Sequence, residues 1–299
     1  MAIYKLKPAI KEYLWGGTKL KEWGKGDESN KIVSETWELS FHEDGLTLVD
    51  GLDKPLKEVV TKEEIGTKVS KFDFFPVLIK FINSAQNLSV QVHPSDKYAL
   101  KHENSLGKTE MWYILEAEKG SGIYVGFKGE ETKESVREAI ENNTIMDKLN
   151  FFEVKPGDCF FIPSGTVHAI GEDITLIEIQ QNSNLTYRLY DYNRVGADGK
   201  KRPLHIDKAL EVLDFKPYKN KKFSKPQIGK SKYFSVYRFN DMCKYIKANN
   251  QSFISVSFID GSGTIGGIEF KKGDTFFIAA SSDAYIESDN CEYILTLIE

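Results

Sequence analysis

The apolar positions of the chain fall into short runs of strand type. LIKFI (78–82), LSVQVH (88–93), EMWYIL (110–115), CFFIP (159–163) and ITLIEIQQ (174–181) are rich in β-branched or aromatic residues and bounded by turn formers, the pattern of half-buried or buried strands. Three segments carry apolar residues at helical spacing among charges: PLKEVVTKEEIGTKVS up to Ser70, KESVREAIENNTIMDKL from Lys133 to Leu149, and HIDKALEVLD at 205–214, which Pro203 precedes as a starter. The expectation is a β-rich body with helical insertions.

An internal repeat lies within this pattern. VKPGDCFFI (154–162) aligns without gaps to FKKGDTFFI (270–278), with six of nine positions identical. Each reads as a Gly-Asp turn feeding a buried strand. GSGIY (120–124) and GSGTI (261–265) form a weaker pair. Repetition at this separation predicts two related β units rather than a short-period solenoid, although a turn-strand solution reached twice would give the same match. Continuing the alignment sets His168 opposite Ala284, so a site in the first copy is lost in the second. The Lys- and Pro-bearing stretch 214–230 reads as the linker between them.

Composition narrows the partners. The 299 residues carry 40 Lys+Arg against 44 Asp+Glu, a formal net charge of −4, which gives no basic surface for a nucleic-acid backbone. The longest apolar stretch, FFPVLIKFI (74–82), is short and broken by Pro76 and Lys80, so no membrane span is expected. Cys159, Cys243 and Cys291 are far apart and form no CxxC pair; with an N-terminus lacking the apolar run of a signal peptide, a reducing cytoplasm is expected.

Candidate chemistry gathers at four positions. In a strand, Gln91 and His93 share a face; Glu110 opens the strand EMWYIL, and His168 follows the PSG turn. Two imidazole nitrogens and two oxygens suit Zn²⁺ with a position left open for water or substrate, and Fe or Mn fits the same donors. Each residue also has a structural alternative: His93 as a hydrogen-bonded half-buried histidine, Glu110 as a solvated carboxylate, Gln91 as a backbone cap, His168 as a loop residue. The run Gly157, Pro163, Gly165, His168 spells G-x5-P-x-G-x2-H, in which the glycines and proline allow a tight turn and a sharp corner that returns His168 toward a barrel mouth.

That run resembles the second signature of the cupin superfamily. The first signature carries H-x-H, whereas Gln91 stands here in place of the first His; the Asn that usually follows the final His after three intervening residues is Glu172 here. The segments 78–96, 106–115, 160–171 and 178–194, with EYLWGG (12–17) and SETWELS (34–40), resemble the type I mannose-6-phosphate isomerase family, short bacterial form, over residues 3 to about 215. The resemblance implies a mainly β bicupin chain: two jelly-roll cupin barrels with helical insertions on the first, residues 1–215 forming the catalytic metal-binding domain and 216–299 a degenerate cupin domain. It carries the family's zinc ligands onto Gln91, His93, Glu110 and His168, one ion per chain. It also carries the lysine before the ligand glutamate onto Lys108 and the essential arginine onto Arg188.

The implied reaction moves a hydrogen between C1 and C2 of a sugar phosphate through a cis-enediol, interconverting mannose 6-phosphate and fructose 6-phosphate. A divalent ion stabilises charge developing on O1 and O2, and the permanently charged Arg188 adds to it; a surface salt bridge with Asp191 is the plainer role for Arg188. Lys80 and Ser89 are candidate substrate contacts, Lys108 is a candidate to hold the phosphate as a point charge, and metal-bound water, His93, Glu178 and Lys108 are candidates for moving the proton. Trp15 and Trp37 are expected in the core or under the pocket, Tyr187, Tyr190 and Tyr192 in packing, and His102 at the surface; the two charged helices near 56–70 and 133–149 would wall the cleft. A non-catalytic cupin that binds sugar or acts in regulation is the alternative.

Overall fold

The computed structural model describes residues 2–196, 199–240 and 243–299. The first half folds into two antiparallel sheets laid face to face. One runs, in spatial order, Cys159–Ile162, Glu110–Ala117, Ile174–Gln181, Val77–Ser84, Glu35–Leu39 and Ala9–Lys11. The other runs Leu149–Glu153, Gly122–Phe127, His168–Ile170, Val90–Val92 and Tyr187–Tyr190.

The period-two pattern explains why the six-stranded sheet is buried on both faces. Along Val77–Ser84 every residue is buried. Val77, Ile79 and Phe81, with Met111, Tyr113, Ile177 and Ile179, point out of the first half into a core completed by Val236, Phe253, Phe277 and Ile294 of the second. The alternate positions point inward. At one end of this interior Ile82, Trp112, Ile114, Leu176 and Ile170 make an apolar floor; at the other the inward side chains are charged. In register across four strands lie Trp112, Glu178, Lys80 and Trp37.

The repeat is visible as a shared turn. Gly157 and Gly273 have φ of 94° and 93°, a region that favours glycine. In each copy the Asp side chain accepts from the backbone N–H three residues back, Lys155 or Lys271, at 3.0 Å. The glycine N–H donates to Ile114 or Phe258. The strands that follow, Cys159–Ile162 and Thr275–Ile278, each pair with a long central strand, Glu110–Ala117 and Ile254–Ile265. The N-terminal strand Ile3–Lys7 crosses over to pair with Thr275–Ile278.

The stretch 214–230 runs along the first half and ends in the strand Gln227–Lys230, which pairs with Ser235–Asn240 of the second. Asn220 accepts from Phe161 N–H and donates to Cys159 O, covering the free edge of Cys159–Ile162.

Two helix expectations require correction. The segment up to Ser70 is not one helix but short turns at Leu56–Val59, Lys62–Ile65 and Val69–Lys71. Val60 is extended and Gly66 takes a φ of 96°, so apolar spacing persists while the backbone breaks. The second helix stops at Glu141, Asn143 adopts a φ of 58°, and a separate turn Ile145–Lys148 leads into a strand. Neither segment lines the cavity described below. The third forms as expected, over Ile206–Val212. Among the described residues no helix is long and apolar enough to cross a membrane.

Candidate active site

The strand Val90–Val92 sends both valines into the helix-covered core, so Gln91 between them faces the sandwich interior, and His93, two residues on, shares that face. Gln91 pairs with His168 on one side and Arg188 on the other. Glu110 opens its strand opposite Gln180 and Ile162. The fold thus brings three residues of the expected ligand set, distant in sequence, to one point: donor atoms of His93, Glu110 and His168 all lie within 4.8 Å of one another, fully buried. Gln91, half-buried, lines the adjoining cavity.

The hydrogen bonding fixes what these atoms are. His93 Nδ1 donates to Leu185 O at 2.9 Å and His168 Nδ1 to Thr166 O at 2.8 Å, since a carbonyl only accepts. Burial holds the His93 imidazolium well below its ordinary range and pushes His168 down to about 4, so both rings are neutral at neutral pH. Each Nε2 therefore presents a bare lone pair, and both face Glu110: His93 Nε2 to Oε2 at 3.5 Å, His168 Nε2 to Oε1 at 3.3 Å. Neither Nε2 nor Glu110 Oε1 has a hydrogen-bond partner. Buried acceptor atoms converging with no donor of their own are satisfied by a cation held between them. Donors about 2.1 Å from one tetrahedral ion stand about 3.4 Å apart, close to the two His–Glu separations. The residues fit a divalent metal, with backbone carbonyls orienting both histidines from behind.

A chain of buried charge extends from this point. Lys108 Nζ lies 3.1 Å from Glu110 and 3.8 Å from Glu178; Lys80 Nζ lies 3.6 Å from Glu178 and 3.2 Å from Glu35. Trp112 Nε1 donates to Glu178 at 2.8 Å and Trp37 Nε1 to Glu35 at 2.7 Å. Burial pushes Glu110 up to about 8, aided by the Glu178 charge. Burial acts on Glu178 in the same sense, but Lys108, Lys80 and the Trp112 hydrogen bond outweigh it and hold its carboxyl low. Lys80 is held above the ordinary range because Glu35 and Glu178 overcome its desolvation. Glu178 Oε1 has no hydrogen-bond partner.

These groups open onto a cavity of about 400 Å³ whose lining includes Tyr13, Trp15, Glu35, Lys80, Ser89, Gln91, Lys108, Glu178, Arg188 and Arg202. Arg188 Nε donates to Ser89 Oγ at 3.1 Å and Nη1 to Pro203 O at 3.1 Å. The expected alternative, a salt bridge to Asp191, does not form: Asp191 accepts from Arg194 and Arg202. His205, which fits neither signature, accepts from Arg188 N–H and so ties down that strand.

Sequence reasoning assigned no role to Glu35 or Arg202; only the quoted SETWELS segment pointed near Glu35. Trp15 lines the cavity and Trp37 is buried; Tyr187 is packed, donating to Glu103, and His102 is exposed.

Comparison with known proteins agrees with this geometry. Residues 3–123 match the model for the phosphomannose isomerase type I catalytic domain. The mannose-6-phosphate isomerase ManA of Bacillus subtilis is 39% identical, covering 90% of this chain and 90% of the relative. That of Streptococcus mutans is 34% identical with the same coverage. A crystal structure of the Bacillus subtilis enzyme superposes with a TM-score of 0.86 at 31% identity over 99% of each chain. A zinc-bound mannose 6-phosphate isomerase structure shares the fold, with a TM-score of 0.78 at 14% identity over all of both chains. Near full-length identity of this order, joined to a dry His–Glu–His cluster in the interior of the first sandwich, makes the chain a member of the type I mannose-6-phosphate isomerase family.

Proposed function

We propose that this chain is a zinc-dependent isomerase interconverting mannose 6-phosphate and fructose 6-phosphate. One observation carries the reading: two neutral imidazole nitrogens and one carboxylate oxygen, buried and without hydrogen-bond partners, gather around one point beside the cavity-lining Gln91 and Lys108. In this reading His93, Glu110, His168 and Gln91 hold one zinc ion per chain. Held there, zinc would supply Lewis-acid stabilisation of the negative charge that develops on the sugar.

The chain's own residues do the rest. Glu178 Oε1, kept ionised by two lysines and free of hydrogen bonds, takes the proton from C2 of the open-chain aldose and returns it to C1 of the enediol. Lys108, between Glu110 and Glu178, and Arg188, fixed by Ser89 and Pro203, stabilise negative charge on the sugar oxygens. Lys80 and Ser89 contact the sugar from the cavity wall. The tight lysine–glutamate alternation fixes each charge before substrate arrives.

The shared turns support a bicupin architecture, with 1–215 as the catalytic domain and 216–299 as a degenerate copy whose sheet is completed by Ile3–Lys7. The test is metal analysis with a coupled assay on both sugar phosphates. The expected result is about one zinc per chain, loss of turnover with chelator and recovery with added zinc. Full turnover by the stripped protein overturns it.

A further inference from the structure

The cations lining the cavity divide into two kinds. Lys80 and Lys108 each stand between two carboxylates, Glu35 and Glu178 for one, Glu110 and Glu178 for the other, so each already faces negative charge on two sides. At the mouth the balance is reversed. The charged groups facing Arg188 are Arg202, Arg194 and Asp191, and Asp191 alone serves Arg194 and Arg202. Among the described residues three guanidiniums, of which Arg188 and Arg202 line the cavity and Arg194 lies beside them, therefore share a single carboxylate. Two positive charges remain uncompensated, which matches a phosphate monoester dianion.

The donor count identifies the contact. A guanidinium has five N–H donors. Arg202 gives Asp191 only two, from Nε at 2.8 Å and Nη2 at 2.6 Å. This side-on bidentate clamp fixes the plane of the group, and three N–H donors remain on a side chain that lines the cavity and is about one-third exposed (34%). Arg188, deeper in, keeps three donors after Ser89 and Pro203.

We propose that Arg202, oriented by Asp191, is the residue that recognises the phosphate group of the substrate and so sets the preference for phosphorylated over free sugars. The proposal rests on the isomerase reading for the identity of the sugar but not for the anion site itself. The clamp explains why a rim arginine is held rigid: the rotamer entropy of a long side chain is already lost before the anion arrives. It also assigns Asp191 as a positioning residue.

The test measures zinc-loaded wild type, Arg202→Met, Arg202→Lys and Asp191→Asn in two ways: steady-state kinetics on mannose 6-phosphate, and calorimetric titration with inorganic phosphate and with fructose 6-phosphate. Loss of charge-assisted bonds to a dianion predicts a KM for Arg202→Met raised about 30-fold, more than kcat falls. Phosphate affinity should drop in parallel, Arg202→Lys should recover part of both, and Asp191→Asn should give a smaller loss of the same kind. Melting temperatures confirm folding, and the lysine variant keeps the comparison open if Arg202→Met is unstable. KM and phosphate affinity within twofold of wild type in both Arg202 variants overturn the proposal. A wild type that binds phosphate through Arg202 yet turns over neither sugar phosphate overturns the isomerase reading and leaves the anion site standing.

Discussion

The two halves use one turn and one strand ladder for opposite interiors. In the first, Gln91 pairs with His168 and Ile162 pairs with Glu110. In the second, Ile246 pairs with Ala284 and Ile278 pairs with Ile254. Aligning the shared turns sets His168 on Ala284 and Ile162 on Ile278; Gln91 then falls on Ile246, His93 on Ala248 and Glu110 on Ile254. All four replacements are buried in one apolar core. Ladder hydrogen bonds and glycine turns tolerate either content, because they are made by the backbone; the side chains aimed inward decide whether a ladder encloses a core or a site. A buried carboxylate and two histidines need a cation to repay their desolvation, whereas Ile and Ala need nothing.

The comparison can be broken most severely at Glu110. Glu110→Ile copies the second half into the first and should remove bound metal and reduce kcat by about three decades; elemental analysis and the isomerase assay check both. The reciprocal change, Ile254→Glu, buries a carboxylate without a cation or lysine and should destabilise the fold by about 3 kcal/mol, read by denaturant unfolding. Turnover per folded molecule should hold, because that core is remote from the cavity.

Lys80→Met sharpens the role of the charge chain. It removes one of two cations that hold the Glu178 carboxyl low, so that pKa rises. The acidic limb of the kcat–pH profile should move to higher pH, with kcat at neutral pH lower by about tenfold. An unmoved limb excludes Glu178 as the titrating base. The smallest effect belongs to what the halves share. Gly157→Ala and Gly273→Ala should each cost about 1 kcal/mol, since both force a positive φ on a residue with a Cβ. Gly273→Ala should cost somewhat more, because its Cβ meets Lys25 Cε at 3.2 Å against a nearest neighbour of 3.9 Å at Gly157.

The linear pattern determined much of this. Period-two alternation located the strands that carry Gln91, Glu110 and Glu178, and the nine-residue repeat located both Gly-Asp turns, because strand faces and left-handed glycines are local properties. The same alternation put His93 beside Gln91, and the repeat already set Ala284 against His168. Local spacing misled where Val60, Gly66 and Asn143 break the backbone without disturbing apolar periodicity. Only the tertiary structure decided which charges meet. Lys80 finds Glu35 and Glu178 across neighbouring strands, and Asp191, three residues from both Arg188 and Arg194, leaves the first and takes the second together with Arg202. Coulomb and hydrogen-bond energies depend on distances in space and on the water excluded around them, and neither quantity is written along the chain.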